Sequence, residues 1–432
     1  MALRQTAMLE VNEFLVLDFV REVQETTRPE IAHALGLSAS SVSRLVARLI
    51  REGMVRETGP SSRTGGRPRG CIAFNRQAGC VVAVDLGGTR CHGALADLAG
   101  EILLEDERPN RAAGEAFATV LAIVADLRRA ASEREMPVAA VAVGVPAIID
   151  PVTGRALAGP RVDWQDFEVV RRLGEAIDVP VLVDNDVNLA ALAHAWRGEA
   201  RGVDNFVTVS IGTGIGGAIV ADGRLVKGQH NAGGEIGYVT TDRAQLDETI
   251  DRGLGGFEVL ASAPAIAARA RDLLAAAGRG DAWDPGEVTA ERVFSAAATG
   301  DETALVVVNE AVDHIALVLI AIVATVDPAL IVIDGSVGRS LEPFLPAIRE
   351  RLARRLPVLP TIVVSRLPSA TVIGAIAAAL QLARERRAPG ALSEALRQGA
   401  WPATGVRGLG LVLATGTATE TDGRGAIERS LP

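Results

Sequence analysis

The chain has 432 residues, 48% of them apolar and 22% charged, with a formal net charge of -9. That balance fits a soluble globular protein with two or three domains and sizeable cores, and it argues against disorder and against nucleic-acid binding over the whole surface. Cys71, Cys80 and Cys91 are odd in number and crowded together, as reduced structural thiols are; there is no signal-peptide pattern at the start and no apolar run of membrane-spanning length, so the expectation is a cytoplasmic protein with no membrane partner.

The average charge hides a local reversal. Between Ser38 and Gly70 seven arginines face two acids. Apolar residues recur at helical spacing from about Val11 to Val23, in "RPEIAHALGL" and in "SASSVSRLVARLIREGMV", which predicts three short helices in a helix-turn-helix arrangement. Gly36 ends the second, and Ser38 or Ser40 is suited to cap the third. On that third helix Val42, Leu45, Val46 and Leu49 share a packing face, leaving Ser40, Ser41, Ser43, Arg44 and Arg48 to reach a DNA groove. "MVRETGPSSRTGGRPRGCIAFN" then reads as strand, loop, strand: the wing of a winged helix. Arg67 and Arg69 at its tip suit a narrow minor groove. Double-stranded operator DNA is the partner these residues predict.

"CVVAVDLGGTRCHGALADLAGEILLEDE" predicts an antiparallel meander with a Gly87-Gly88-Thr89 turn after Asp85. The pattern returns in "FVTVSIGTGIGGAIVADGRLVKG". Gly212, Gly214 and Gly217 mimic a dinucleotide fingerprint, but a strand follows where that motif requires a helix. Two hairpin tips, one per lobe, suggest instead a nucleotide held by Gly87, Gly88 and Thr89 from one side and Gly212, Thr213 and Gly214 from the other, with Asp85 available to Mg²⁺. Each tip alone would be an ordinary turn; the repetition argues for more.

"VPVLVDNDVNLAALAHAW" predicts a buried strand running into a helix, with Asp184, Asn185 and Asp186 at the junction. Either acid could simply cap the helix. In a functional reading Asp186 is the base, kept ionised at neutral pH by the helix start, and Asn185 bonds a neighbouring hydroxyl. In "RVDWQDF" Trp164 is either a sugar-stacking ring or a loop anchor. His92, His194, His230 and His314 lack metal spacing and read as structural or exposed.

From Asp85 to about Leu380 the chain resembles the ROK (repressor, open reading frame, kinase) family, through "DLGGT", "GVPAIIDPVTG", "DNDVNLAALA", "GTGIGGAIV", "AGGEIGY", "GFEVLASAPAI" and "DPALIVIDGSVG". With a winged helix in front, it resembles the regulator branch. The resemblance implies an α/β chain in which the winged helix-turn-helix precedes an actin-like, two-lobed ATPase fold of the sugar kinase and hexokinase type. It further implies that Asn185, Asp186, Glu235 and Glu258 are sugar ligands and that Gly335 belongs to the adenosine-side loop. Two departures stand out. Tyr238 occupies the usual His position and can still donate to a sugar oxygen, while Thr249, Asp251 and Gly256 stand where the family commonly has three cysteines, so no structural zinc is predicted. Ala147 replaces a glycine and narrows the approach to the sugar.

The expected domains are 1–76, the DNA reader; 79–200 and 201–386, the two lobes; and 387–432, a mobile tail whose apolar "LGLVLATG" has no destination legible in the sequence. Helices around Ala304–Thr325 and Thr371–Arg384 are expected on the second lobe, the first as a dimer element of a homodimer or higher oligomer. Two functions stay open: a sugar-responsive transcriptional regulator of carbohydrate metabolism, and an active sugar kinase, which would need ATP and Mg²⁺.

Overall fold

A computed structural model describes residues 2–60, 70–110, 113–159, 161–247, 254–278, 283, 287–390, 392–393 and 412–414. The amino-terminal unit comprises α1 (Ala2–Val23), β1 (Glu25–Thr27), α2 (Arg28–Leu35), α3 (Ala39–Arg51), β2 (Val55–Pro60) and β3 (Gly70–Phe74). Glu30 accepts the Thr27 N–H at 2.8 Å to start α2, and Gly36, at φ 64°, closes it. Ser38 is the cap of α3, its Oγ accepting from Ser41 N at 3.2 Å. Val42, Leu45, Val46 and Leu49 are buried against Val16, Val20, Ile31 and Ile72, as their spacing requires. The wing is the antiparallel pair β2–β3.

The first lobe runs through β4 (Cys80–Leu86), β5 (Arg90–Asp97), β6 (Ile102–Pro109), α4 (Ala116–Glu133), β7 (Val138–Val145), β8 (Ile148–Ile149), β9 (Ala156–Ala158), α5 (Val169–Ala176), β10 (Val181–Asn185) and α6 (Asp186–Arg197). The second contains β11 (Phe206–Ile211), β12 (Ile215–Ala221), β13 (Arg224–Leu225), α7 (Glu258–Ala261), α8 (Ala263–Ala276), α9 (Ala290–Ala298), α10 (Glu302–Val326), β14 (Leu330–Asp334), α11 (Gly335–Ser340), α12 (Leu345–Ala353) and β15 (Thr361–Val364). Then come α13 (Ala370–Arg387) and β16 (Val412–Ala414). The two main sheets have strand orders β16-β10-β7-β4-β5-β6 and β13-β12-β11-β14-β15. From the tail, β16 pairs antiparallel with β10, which gives that stretch of "LGLVLATG" its place at the sheet edge.

Strand parity explains the layering. In β4, Cys80, Val82, Val84 and Leu86 face one core with α4, whereas Val81 and Ala83 face another. The second face is built from small residues, Ala83, Ala94, Ala96, Ala140 and Ala142, so α6 and α13 lie close on it, with β11, β12 and β14 of the other sheet beyond them. This corrects the sequence expectation that α13 packs on the second lobe: it lies chiefly on the first-lobe sheet and on α6. The physical reason is its own wall of Gly and Ala, which suits a crowded middle layer. Helix α10 sits as expected in the second-lobe core with α8, α9 and α12. It is long and apolar enough to cross a membrane, yet most of its apolar window is covered by the protein.

The amino-terminal unit docks on the far end of α13. Arg384 Nη2 donates to Asp18 Oδ2 of α1 at 2.6 Å, both side chains being buried, and Arg387 Nη2 reaches Glu52 Oε2, just past α3, at 2.7 Å. Cys71, Cys80 and Cys91 are buried free thiols, with burial pushing Cys80 to about 11 and Cys91 to about 12.

The tightest helix contact sits at Gly374, where an added Cβ would lie 1.7 Å from the Leu189 carbonyl oxygen of α6. Backbone cannot yield as a side-chain tip can. Gly374→Ala is expected to lower stability by about 3 kcal/mol or more, the upper end for overpacking, read as a shifted thermal or urea unfolding midpoint.

Candidate functional site

Between the lobes lies one cavity of about 540 Å³. Its walls include the polar candidates for sugar and the glycine-tip candidates for nucleotide, Asp85, Gly87, Gly88, Thr89, Asn185, Asp186, Gly212, Thr213, Gly214, Glu235, Tyr238, Glu258 and Gly335, but not Trp164. Parity aims the first of these. Asp85 continues the Val81–Ala83 face, so it emerges at the end of the middle layer, where β4 and β5 turn at Gly87–Thr89. The second tip is the β11–β12 turn, an antiparallel hairpin with no helix after it, and the dinucleotide reading fails on structure as it did on sequence.

At the strand-to-helix junction Asn185 is the cap of α6: its Oδ1 accepts from Val187 N at 2.9 Å and Asn188 N at 3.3 Å. Only its amide N–H groups remain for a ligand. Asp184 turns away from the cleft and is held by Asn188 Nδ2 at 3.0 Å and by Lys227 Nζ at 2.5 Å. Lys227, just past β13, is the sole lysine of the chain, and the pair is buried. A lysine drawn from the second lobe thus neutralises the acid beside Asn185 and Asp186.

Glu235 opens a short 3-10 turn through Tyr238, and Glu258 lies beside it: a Cβ on Gly237 would stand 3.3 Å from Glu258 Oε2. The resulting acid cluster is electrostatically frustrated. Burial, then the charges of Glu235 and Glu258, push Asp186 up to about 7 against the opposing pull of the Val187 N–H; burial and Glu258 push Glu235 to about 7. Asp85 also reaches about 7, through burial and Asp186, with Arg90 opposing. This corrects the expectation that the helix start keeps Asp186 ionised at neutral pH. Desolvation and neighbouring carboxylates outweigh the helix terminus, leaving the proton shared near pH 7. The Tyr238 hydroxyl is raised by the same surroundings.

Burial decides between the alternatives left open for two further residues. Trp164 is a buried anchor stacked on Phe167 at 4.7 Å, so its ring is not offered to a sugar. His194 is buried between Glu199, at 2.9 Å, and Asp334, at 3.5 Å; burial lowers its pKa, but these carboxylates more than offset that and raise it. His92 meets Glu105 at 3.1 Å on the cleft rim. Among the described residues no three His, Cys, Asp or Glu side chains group for a metal ion. Of the former cysteine positions, Thr249 and Asp251 lie outside the described residues; Gly256 packs on Gln245 and Thr240 and supplies no donor, so this set does not suit zinc.

On the DNA-reading face Ser40, Ser43 and Arg44 are exposed, and Ser41 is half-buried. Arg48 is tied to Glu13 and Glu52, each at 3.1 Å. Arg67 and Arg69 lie outside the described residues.

The ROK family model matches residues 81–382, and the MarR family model matches residues 9–67. The chain belongs to the ROK family. It is 28% identical to the xylose repressor of Caldicellulosiruptor bescii over 357 residues, 81% of this chain and 89% of the relative, and 32% identical to the glucokinase of Halalkalibacterium halodurans over 62% and 84% respectively. Among solved structures, a ROK family transcriptional regulator homologous to the Escherichia coli MLC protein shares the fold, with TM-score 0.72 at 23% identity over 88% of this chain and 97% of that one. A MarR-type winged helix ahead of a ROK domain makes this protein a DNA-binding transcriptional regulator with a sugar-kinase-like fold.

Sequence reading missed Arg161 and Ser369–Thr371 in the ROK cleft. Arg161 reaches Glu258 across 97 residues of chain, a pairing with no local pattern. Lys227 did carry a signal, as the one lysine among arginines.

An acid whose folded pKa is raised contributes stability that is full below the ordinary carboxylate range and is lost as pH climbs through the folded value. The ligand-free protein should therefore lose stability between about pH 5 and 8, and Glu235→Gln should flatten part of that fall. Melting temperatures across this range check both.

Proposed function

We propose that the ROK cleft of this regulator senses a sugar and that sugar binding alters operator binding by the winged helix, the protein acting in the cytoplasm as a homodimer, most simply as a repressor. Asn185, Asp186, Glu235, Tyr238 and Glu258 are the sugar ligands in this reading, since carboxylates accept the hydroxyl donors that crowd a sugar ring. Ser40, Ser41, Ser43 and Arg44, with Arg67 and Arg69 of the wing, meet DNA, whereas Arg48 braces α3 against α1. The observation that carries the proposal is the course of α13. It begins at the cleft, where Thr371 Oγ1 donates to the Asp186 carbonyl at 3.3 Å, and ends in the buried Arg384–Asp18 pair under the DNA reader. A ligand that prefers one lobe arrangement shifts both ends together.

A sugar-sensitive mobility shift of operator DNA tests this. Glu235→Gln should keep operator binding and lose the sugar effect, whereas paired replacement of Asp18 and Arg384 by Leu and Met should keep both binding events and uncouple them. Operator binding indifferent to every sugar in the wild type would sink the reading.

A second reading, an ATP-dependent sugar kinase, is favoured by the complete set of Asp85, both glycine tips and Asp186. The tips and the Gly335 loop would hold the nucleotide, which supplies the phosphoryl group, and Asp85 would hold Mg²⁺. Asp186, with its proton balanced near neutrality, would accept the sugar hydroxyl proton. Coupled ADP release separates the readings: the regulator reading expects none, and turnover abolished by Asp186→Asn would establish the kinase.

A further inference from the structure

A smaller cavity, of about 100 Å³, lies where α1, the first lobe and α13 meet. Phe14 and Leu17 of α1, Phe74 of the wing, Leu98 and Ala139 of the first lobe and Leu380 of α13 make its walls largely apolar. Into this setting α1 and α13 bring two guanidiniums that share one carboxylate. Arg21 Nη2 donates to Asp18 Oδ1 at 2.8 Å, and Arg384 Nη2 donates to Asp18 Oδ2 at 2.6 Å. Arg387, on the same wall, has a partner of its own in Glu52. Arg384 is only 7% exposed, its guanidinium carbon lies 5.8 Å from the centre of the Phe14 ring, and its Nε is buried with no acceptor.

Two cations sharing one anion leave the cavity wall one negative charge short, and burial makes that shortage costly. An anion that accepts from the idle Arg384 Nε–H removes it, while apolar atoms behind the anion cover the remaining wall. The requirement is a single charge on a short apolar tail. A phosphate brings a second charge and more oxygens than the idle donor satisfies, and a neutral alcohol leaves the shortage in place. Size sets the other limit. A cavity of about 150 Å³ holds benzene, so this smaller one suits an acid of about four carbons and excludes an aromatic ring. We propose that the cavity is a ligand site for a short aliphatic monocarboxylate, separate from the inter-lobe cleft, and that Arg384 seats the carboxylate. A ligand there touches α1, the first lobe and α13 together. It therefore fixes the amino-terminal unit against α13, and operator affinity responds to it.

Ligand-detected NMR titrations on the full chain test it at fixed ionic strength, with butyrate beside acetate, benzoate, n-butanol and n-butylamine. Butyrate should bind about tenfold more tightly than acetate, through two further buried methylenes, and more tightly than the alcohol, the amine and the aromatic acid. Arg384→Gln should erase its advantage over butanol. Ala383→Leu, which fills the cavity and leaves the ion pairs in place, should abolish binding altogether; circular dichroism and melting establish that both variants are folded. In a mobility shift, saturating butyrate should change operator affinity about fivefold or more in the wild type and leave Ala383→Leu unaffected. No saturable butyrate binding, acetate or benzoate binding as tightly, butyrate binding that survives Ala383→Leu, or an operator affinity indifferent to bound butyrate would each overturn the proposal. None of these outcomes bears on sugar sensing in the cleft, which sugar titration of Ala383→Leu reads separately.

Discussion

Helices α6 and α13 meet backbone to backbone at Gly374 and Leu189, and the rest of the molecule is arranged around that approach. Such a contact needs a glycine on one helix and a sheet surface of alanines beneath both, and the inner faces of β4, β5 and β7 supply it. Because the two helices form the layer shared by both sheets, the lobes cannot move without carrying this pair or sliding against it. The cleft opens at the amino-terminal ends of both helices, so what binds there touches the shared layer directly.

The cleft itself is a balance of charge against burial. Three carboxylates, Asp85, Asp186 and Glu235, are held near half-protonation by the walls around them and by one another. The cations placed nearby do different work: Lys227 neutralises Asp184 behind the site and holds it rigid, while Arg161 pairs with Glu258 in front, within reach of a ligand. A site built this way is unfavourable when empty and gains by accepting hydroxyl donors. That suits a sensor, in which binding energy is converted into a change of lobe arrangement.

At the other end of α13, charge is used for registration. Arg384 and Asp18 are buried together, a pairing that contributes little net stability but penalises any other docking angle of the DNA reader. Arg387 adds a half-exposed tie to Glu52, just past α3. Helix α3 is thus referenced to the same rod that lines the inter-lobe cleft.

Local patterns carried much of this in the chain alone. Helical spacing identified the α3 core residues, the repeated strand–glycine–strand text identified both hairpin tips, and a strand that ends in Asp-Asn-Asp before a helix identified the junction; in each case the relevant forces act between residues close in sequence. The tertiary structure decided what depends on long-range burial. Asn185 rather than an acid caps α6, Asp186 is held near half-protonation instead of fully ionised, Trp164 turns inward onto Phe167, and α13 joins the first-lobe sheet. Desolvation and backbone-to-backbone approach are properties of what surrounds a residue in space, and the partners of Arg161, Lys227 and Arg384 lie 97, 43 and 366 residues away along the chain, beyond any periodicity a sequence can display.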